Sequence, residues 1–110
     1  MNTENTKAQM RKGILELCIL AILKKRECYP SEILEALRTT ELIVVEGTLY
    51  PLLTRLKNFE LLSYRWEEST SGPPRKYYTL TAKGEEILAD LKNSWLDLAE
   101  SVNHLINEKS

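Results

Sequence analysis

Apolar residues recur at helical spacing close to the start of the chain. Their spacing predicts a first helix over Gln9–Lys25, which is apolar almost all round. Such a helix must be covered on several sides, so we expect the chain's own fold to cover one side and a second subunit another. The residues expected to meet that second subunit are Ile14, Leu17 and Cys18. The mostly polar ends, Met1–Ala8 and Asn107–Ser110, are expected to fray.

Two further helical patterns follow. Pro30 or Ser31 begins a short helix that runs to Arg38. Val45–Asn58 reads as a third helix, because four leucines recur at the spacing of one helix face. Its predicted buried stripe consists of Leu49, Leu52, Leu53 and Leu56.

The periodicity then changes to the alternation that is typical of strands. Leu61–Glu68 and Arg75–Leu80 alternate, and the turn-rich Ser69–Pro74 separates them, which predicts an antiparallel hairpin with a long tip. Trp66 is expected to pack beneath the hairpin and Tyr78 to lie in the core. Three helices followed by a hairpin is the order of a winged helix. The expected fold is therefore mainly α with a small β-hairpin.

A long last helix begins after Thr81, a favourable N-cap residue. It carries a heptad stripe made of Leu88, Leu91, Trp95, Leu98, Val102 and Leu105. The periodicity leaves open whether the stripe packs inside the chain or against a second copy; we favour a homodimer, since two-fold dimers are the commonest oligomers. The chain is thus expected to form one structural unit, with a winged helix over 1–80 and a dimerisation helix over 81–110.

Trp95 occupies a core position of that stripe, where an indole is large for a tight seam. It either fills space against the partner or lines a gap that binds a small aromatic effector. Packing is the favoured interpretation, because an aromatic residue at core spacing is most often part of an interface.

The charge distribution changes the picture more than the net charge of −1 does. Residues 46–83 carry six Lys/Arg against four Asp/Glu, whereas residues 84–110 carry two against six. The middle of the chain is therefore mildly basic, as a nucleic-acid binder requires. A solvated charged surface is the alternative explanation.

Other classes of function find little support. Cys18, Cys28 and the distant His104 have no zinc-binding spacing and form no nucleophile pair, so we expect no metal, no cofactor and no enzyme. The apolar run Ile14–Leu23 contains Glu16 and is shorter than the ~20 residues that cross a bilayer. A cytoplasmic protein without a membrane partner is expected.

Two segments resemble the PadR family of transcriptional regulators. Glu46–Leu56, followed by Leu61 and Leu62, resembles its recognition-helix motif, and Arg75–Gly84 resembles its wing-to-helix junction. The resemblance implies a winged-helix repressor that dimerises through its first and last helices. In many members of the family, small molecules such as phenolic compounds or drugs relieve the repression. The single C-terminal helix resembles the smaller subfamily. Pro30-Ser31 departs from the family's usual Gly-Tyr pair, and the Gly72-Pro73-Pro74 tip has few basic residues.

A winged helix places its third helix in the major groove and its hairpin along the DNA backbone. Arg55 is expected to reach a phosphate or a guanine, and Arg75 and Lys76 to clamp phosphates. The full set of expected contacts to double-stranded DNA is Tyr29, Ser31, Thr48, Tyr50, Pro51, Thr54, Arg55, Arg75 and Lys76. A two-fold dimer predicts a palindromic operator. The alternative is a winged-helix module that binds protein without binding DNA.

Overall fold

The computed structural model describes residues 1–42 and 44–107, and over these residues it contains five helices and one antiparallel hairpin. The elements, in chain order, are α1 (Thr3–Lys12), α2 (Leu15–Lys25), α3 (Pro30–Arg38), α4 (Glu46–Asn58), β1 (Leu62–Ser69), β2 (Gly72–Leu80) and α5 (Ala82–Ile106). This order confirms the predicted fold class. Helices α2 to α4 with the hairpin form the winged helix; α4 is the predicted recognition helix and is called so below, and the hairpin is called the wing.

The N-terminal region differs from the prediction. The helix expected over Gln9–Lys25 is divided near Gly13, and the expectation that Met1–Ala8 frays was wrong because α1 starts at Thr3. Asn2 caps this helix, since its Oδ1 accepts a hydrogen bond from the backbone N–H of Glu4 at 3.1 Å. The break follows from the poor helix propensity of glycine. The expected fraying at the other end falls on residues 108–110, which lie outside the described residues.

The core lies between α2, α3, α4 and the base of the wing. The predicted leucine stripe of α4 is buried at Leu49, Leu53 and Leu56, each at most 1% exposed, while Leu52 is half-buried. Burying each such side chain contributes about 1.5–3 kcal/mol. The other fully buried side chains are Ile19, Leu20, Cys28, Ile33 and Leu37.

The wing is anchored at its base and has a tighter tip than predicted. Tyr78 is buried as expected, and its backbone N–H donates to the carbonyl of Cys28 at 2.8 Å. Ser69 pairs with Gly72, so the long tip predicted over Ser69–Pro74 was wrong. Prolines are tolerated in β2 because each strand of a two-stranded sheet has a free edge where an N–H is dispensable.

Trp66 is the second correction in the wing. Its side chain is 62% exposed, so it does not pack beneath the hairpin. It pairs with Lys76 in the outer half of the ladder, where the strands have already passed the edge of the core.

Helix α5 begins in the core and then leaves it. The Thr81 hydroxyl accepts from the backbone N–H of Gly84 at 2.9 Å and donates to the carbonyl of Glu60 at 2.7 Å, which confirms the predicted cap and ties it to the end of α4. Gly84 and Leu88 are its buried residues. At 25 residues the helix is about 38 Å long. No helix among the described residues is long and apolar enough to cross a membrane.

Candidate nucleic-acid interface

A cleft of about 400 Å³ lies between the start of α3, the recognition helix and the wing. Six of the nine predicted DNA contacts line this cleft: Tyr29, Ser31, Tyr50, Thr54, Arg75 and Lys76. The remaining wall includes Pro30, Pro74, Tyr78, Trp66 and one carboxylate, Glu46. Residues far apart in the chain thus form one surface.

The other three predicted contacts lie around the same helix, outside the cleft. Pro51 and Arg55 line a shallow groove on the outer face of α4 together with Asn58 and Phe59. Tyr50 and Thr54 border both this groove and the cleft, so the two form a continuous surface. Thr48 lies on the flank that faces Arg11 and Lys12 at the end of α1.

Arg55 is already engaged within the chain. Its Nη1 donates to Glu16 Oε1 of α2 at 2.9 Å, and its guanidinium lies 5.6 Å from the ring centroid of Phe59. The Arg55 side chain nevertheless remains 61% exposed. It can therefore meet a ligand on the outer face of α4, in competition with Glu16.

Arg75 lies over one of two tilted aromatic rings that contact each other. Its guanidinium lies 4.1 Å from the centroid of Tyr29, whose ring lies 4.6 Å from that of Tyr77. Arg65 covers the far side of this pair at 4.7 Å from Tyr77, and it is ion-paired to Glu27 at 3.3 Å. This aromatic pair connects the wing to the N-terminus of α3 and places the Arg75 guanidinium beside the cleft.

The phenol of Tyr29, in this aromatic pair, keeps its proton. Partial burial raises the pKa of Tyr29, and the nearby carboxylate of Glu67 raises it further. The phenol therefore stays protonated at neutral pH, and a phosphate that accepts its hydrogen bond must compete with the carboxylate of Glu67.

Lys76 is held in a similar way on the cleft side of the wing. Its Nζ lies 4.5 Å from the ring centroid of Tyr64 and 5.5 Å from that of Trp66. The two rings meet edge to face, with centroids 6.1 Å apart. Sequence reasoning missed Trp66 as a site residue. The available signal was its position opposite Lys76 in the predicted hairpin, which puts an aromatic ring beside an expected phosphate clamp.

The thiols show no sign of a reactive site. Cys18 is half-buried and Cys28 buried, and burial raises the pKa of both. Across residues 1–42 and 44–107, no cluster of His, Cys, Asp or Glu has the arrangement of a metal site.

The PadR-like family of transcriptional regulators matches this chain over residues 19–90. The matched part contains all of α3, α4 and the wing, and therefore every element that lines the cleft. The chain belongs to this family. The resemblance inferred from the sequence is confirmed, and this PadR-like protein is a DNA-binding transcriptional regulator.

Solved structures agree with this assignment. A PadR-like transcription factor from Bacteroides fragilis is 62% identical, covers 92% of this chain and 98% of its own, and superposes with a TM-score of 0.78. A PadR-like regulator from Bacillus cereus is 39% identical over 92% of this chain and 99% of its own, with a TM-score of 0.81. A PadR family regulator from Eggerthella lenta is 28% identical over 97% and 94%, with a TM-score of 0.87.

Proposed function

We propose that this PadR-like protein is a repressor that binds a palindromic operator as a homodimer and is released by a small aromatic effector. The observation that carries the proposal is the joining of the recognition helix and the two wing cations, Arg75 and Lys76, along one cleft. Occupation of an operator next to a promoter blocks transcription directly. A regulator of this kind must meet DNA, so we place it in the cytoplasm.

The DNA contacts divide into two roles. Arg75 and Lys76 neutralise backbone phosphates from the wing, and Tyr29 and Ser31 donate hydroxyl hydrogen bonds to the same strand. On α4, Tyr50 and Pro51 make apolar contact with a thymine methyl group. The other residues of α4 that read bases are Thr48, Thr54 and Arg55. Phosphate contacts position the protein and α4 supplies the specificity.

The homodimer is proposed from the uncovered part of α5. Leu91, Trp95, Leu98, Val102 and Leu105 form one stripe and are 38–69% exposed. A run of large apolar side chains at heptad spacing is stable in water when a second helix covers it. Leu88 is already buried in the chain's own core, so the interface starts at Leu91.

The first part of α2 extends the same interface. Ile14, Leu17 and Cys18 are half-buried within the chain, so each has surface left for the partner's α5. We therefore propose a unit over 1–80 that binds DNA and a helix over 81–110 that pairs the two copies. The two-fold axis then places half-sites about one turn of DNA apart, roughly 10 base pairs.

Trp95 is the proposed effector contact. Its indole is 41% exposed in the middle of the stripe, where a gap between two copies accepts a flat aromatic molecule. Titration of flat phenolic compounds, followed by Trp95 emission in a Trp66→Phe variant, tests this role. Unchanged emission together with unchanged DNA affinity contradicts it.

Selection of bound sites from random duplex DNA tests the whole proposal. A recovered palindrome supports both DNA reading and two-fold symmetry. Binding of the selected duplex must also weaken steeply with salt, with a log–log slope of about −0.9 for each phosphate contacted. Absence of binding to any duplex at low salt contradicts the proposal and favours a winged helix that binds protein.

A further inference from the structure

Trp66 is the one aromatic side chain of the wing that remains uncovered. The wing carries four aromatic residues; Tyr78 is buried, Tyr64 and Tyr77 are half-buried, and Trp66 is 62% exposed. Exposing an indole forgoes the large stabilisation that burying its area supplies. Its exposure leaves a large apolar ring surface of the wing available to a ligand.

The exposed indole packs against two neighbouring side chains, Tyr64 and Lys76. The edge-to-face contact with Tyr64, at an interplanar angle of 89°, supports it from within the same strand. Lys76, its partner across the hairpin, places Nζ 5.5 Å from the indole centroid. Aromatic pairs of this geometry and cations over an indole each contribute about 0.5–1.5 kcal/mol. A fixed orientation lowers the entropy lost when a ligand packs against the ring.

The surroundings of the indole identify the ligand. Trp66 lines the cleft shared with Tyr50 and Thr54 of the recognition helix and with Arg75 of the wing. Two cations beside an apolar ring match a phosphodiester strand, in which negative phosphates alternate with apolar deoxyribose faces. A phosphate paired with Lys76 brings its attached sugar towards the indole.

We propose that Trp66 contacts DNA directly, packing its indole face against a deoxyribose of the operator strand whose phosphate is bound by Lys76. This inference rests on the proposed operator binding and adds an apolar contact to a wing otherwise expected to act through charge. Trp66 would thereby supply affinity that is independent of charge to a wing whose tip has few basic residues.

Tryptophan emission tests the contact, because the chain has two tryptophans and each can be isolated. A Trp95→Phe variant leaves Trp66 as the emitter, and a Trp66→Phe variant leaves Trp95. Each is titrated with the duplex selected by the wild-type protein. Quenching or a spectral shift of Trp66, with Trp95 emission little changed, supports the contact. Unchanged Trp66 emission at saturating duplex overturns it.

DNA affinity and its salt dependence distinguish a direct contact of Trp66 with DNA from an indirect role in positioning Lys76. Trp66→Ala should weaken binding of the labelled selected duplex about tenfold, near the lower end of the range for an aromatic ring stacked on a base of a single strand. The salt slope should stay as in the wild type, since no charge is lost. A different result would overturn the proposal: the salt slope of Trp66→Ala falls by about one unit, and Trp66 emission does not change when DNA binds. Trp66 would then only hold Lys76 in place for its phosphate contact, without touching DNA itself.

Controls keep this test distinct from the test of function. Leu96→Ala shortens a side chain that is 52% exposed on α5, away from the cleft, and should leave DNA affinity unchanged. Circular dichroism checks the fold, and if Trp66→Ala misfolds, the emission of Trp95→Phe decides.

A wild-type protein that binds no duplex contradicts the proposed function and this inference together. A wild-type protein that binds, with Trp66→Ala binding equally well, overturns this inference alone.

Discussion

Arg55 Nη1 lies 2.9 Å from Glu16 Oε1, so an ion pair connects the recognition helix to α2 across 39 positions of the sequence. The pair is partly exposed, with side-chain exposures of 61% for Arg55 and 28% for Glu16. Pairs of this kind contribute about 0–1 kcal/mol to stability. The pair also affects binding, because DNA must compete with Glu16 for the Arg55 guanidinium.

Glu16→Gln should therefore tighten DNA binding without weakening the fold. Removing the carboxylate frees Arg55 and removes a negative charge near the phosphates, so we expect a gain of about two- to fivefold, equivalent to the ~0.5–1 kcal/mol of an exposed pair. Fluorescence anisotropy of a labelled duplex at fixed salt measures the change, and thermal unfolding should show little difference.

The double variant distinguishes release of Arg55 from the charge effect alone. In an Arg55→Ala background, Glu16→Gln should give a smaller gain than in the wild type, because there is no guanidinium left to release. Equal gains in the two backgrounds would show that Glu16 acts on the phosphates alone.

The wing cations should act on DNA of any sequence. Arg75→Ala and Lys76→Ala each remove one phosphate contact, so each should reduce the magnitude of the salt slope by about 0.9 and weaken selected and random duplexes to a similar degree. Arg38→Ala is the matched control, since Arg38 is exposed, pairs with Glu35 at 3.0 Å and does not line the cleft. A wing variant that keeps the wild-type slope would remove that residue from the interface.

The fold was predictable where burial is periodic. Leu49, Leu53 and Leu56 follow the spacing of one helix face, and the structure buries all three. The cap at Thr81 was predictable as well, because capping depends on neighbouring residues in the chain. The alternation of the strand led to the wrong prediction that Trp66 is packed beneath the hairpin. Alternation shows which face of the strand a residue lies on, but not how far the hairpin extends beyond the core.

Six of the residues that line the cleft were named from the sequence as DNA contacts, but Trp66 and the contacts among them were not. The outward positions of α4 and the charges of the wing pointed to Arg55, Arg75 and Lys76 from the sequence. Their partners depend on how separate elements meet. Glu16 reaches Arg55 from another helix, and Tyr29 lies under Arg75 because α3 starts beside the wing.

Gly84 should be sensitive to the smallest substitution. A Cβ at this position would overlap the carbonyl oxygen of Leu61 and lie 2.6 Å from Leu80 Cδ1. The Leu61 carbonyl cannot easily move, because it accepts from the backbone N–H of Thr81 at 3.0 Å. Gly84→Ala should destabilise the protein by about 1–3 kcal/mol, although alanine is the better helix former.

Gly47 in α4 provides the matched control for that substitution. A Cβ there would meet no heavy atom within 4 Å, so Gly47→Ala should leave stability unchanged or raise it by up to about 1 kcal/mol. Urea unfolding at one fixed protein concentration compares the two variants, since the stability of a dimer depends on concentration. Equal effects would contradict the close approach at Gly84.

A charge on the exposed stripe of α5 should separate the two copies while leaving each one folded. Leu98 is 57% exposed within the chain, so Leu98→Glu disturbs no core packing but would bury a carboxylate in the proposed interface. We expect light scattering to report the mass of one chain of 12.7 kDa, with helical circular dichroism largely retained.

Asn93→Glu is the control for this prediction, because it adds the same charge on the opposite side of α5 and should remain a dimer. Because a monomer engages one half-site, Leu98→Glu should also lose affinity for a palindromic duplex while binding an isolated half-site as the wild-type chain does. A dimer that survives Leu98→Glu would place the contact between copies elsewhere on the molecule.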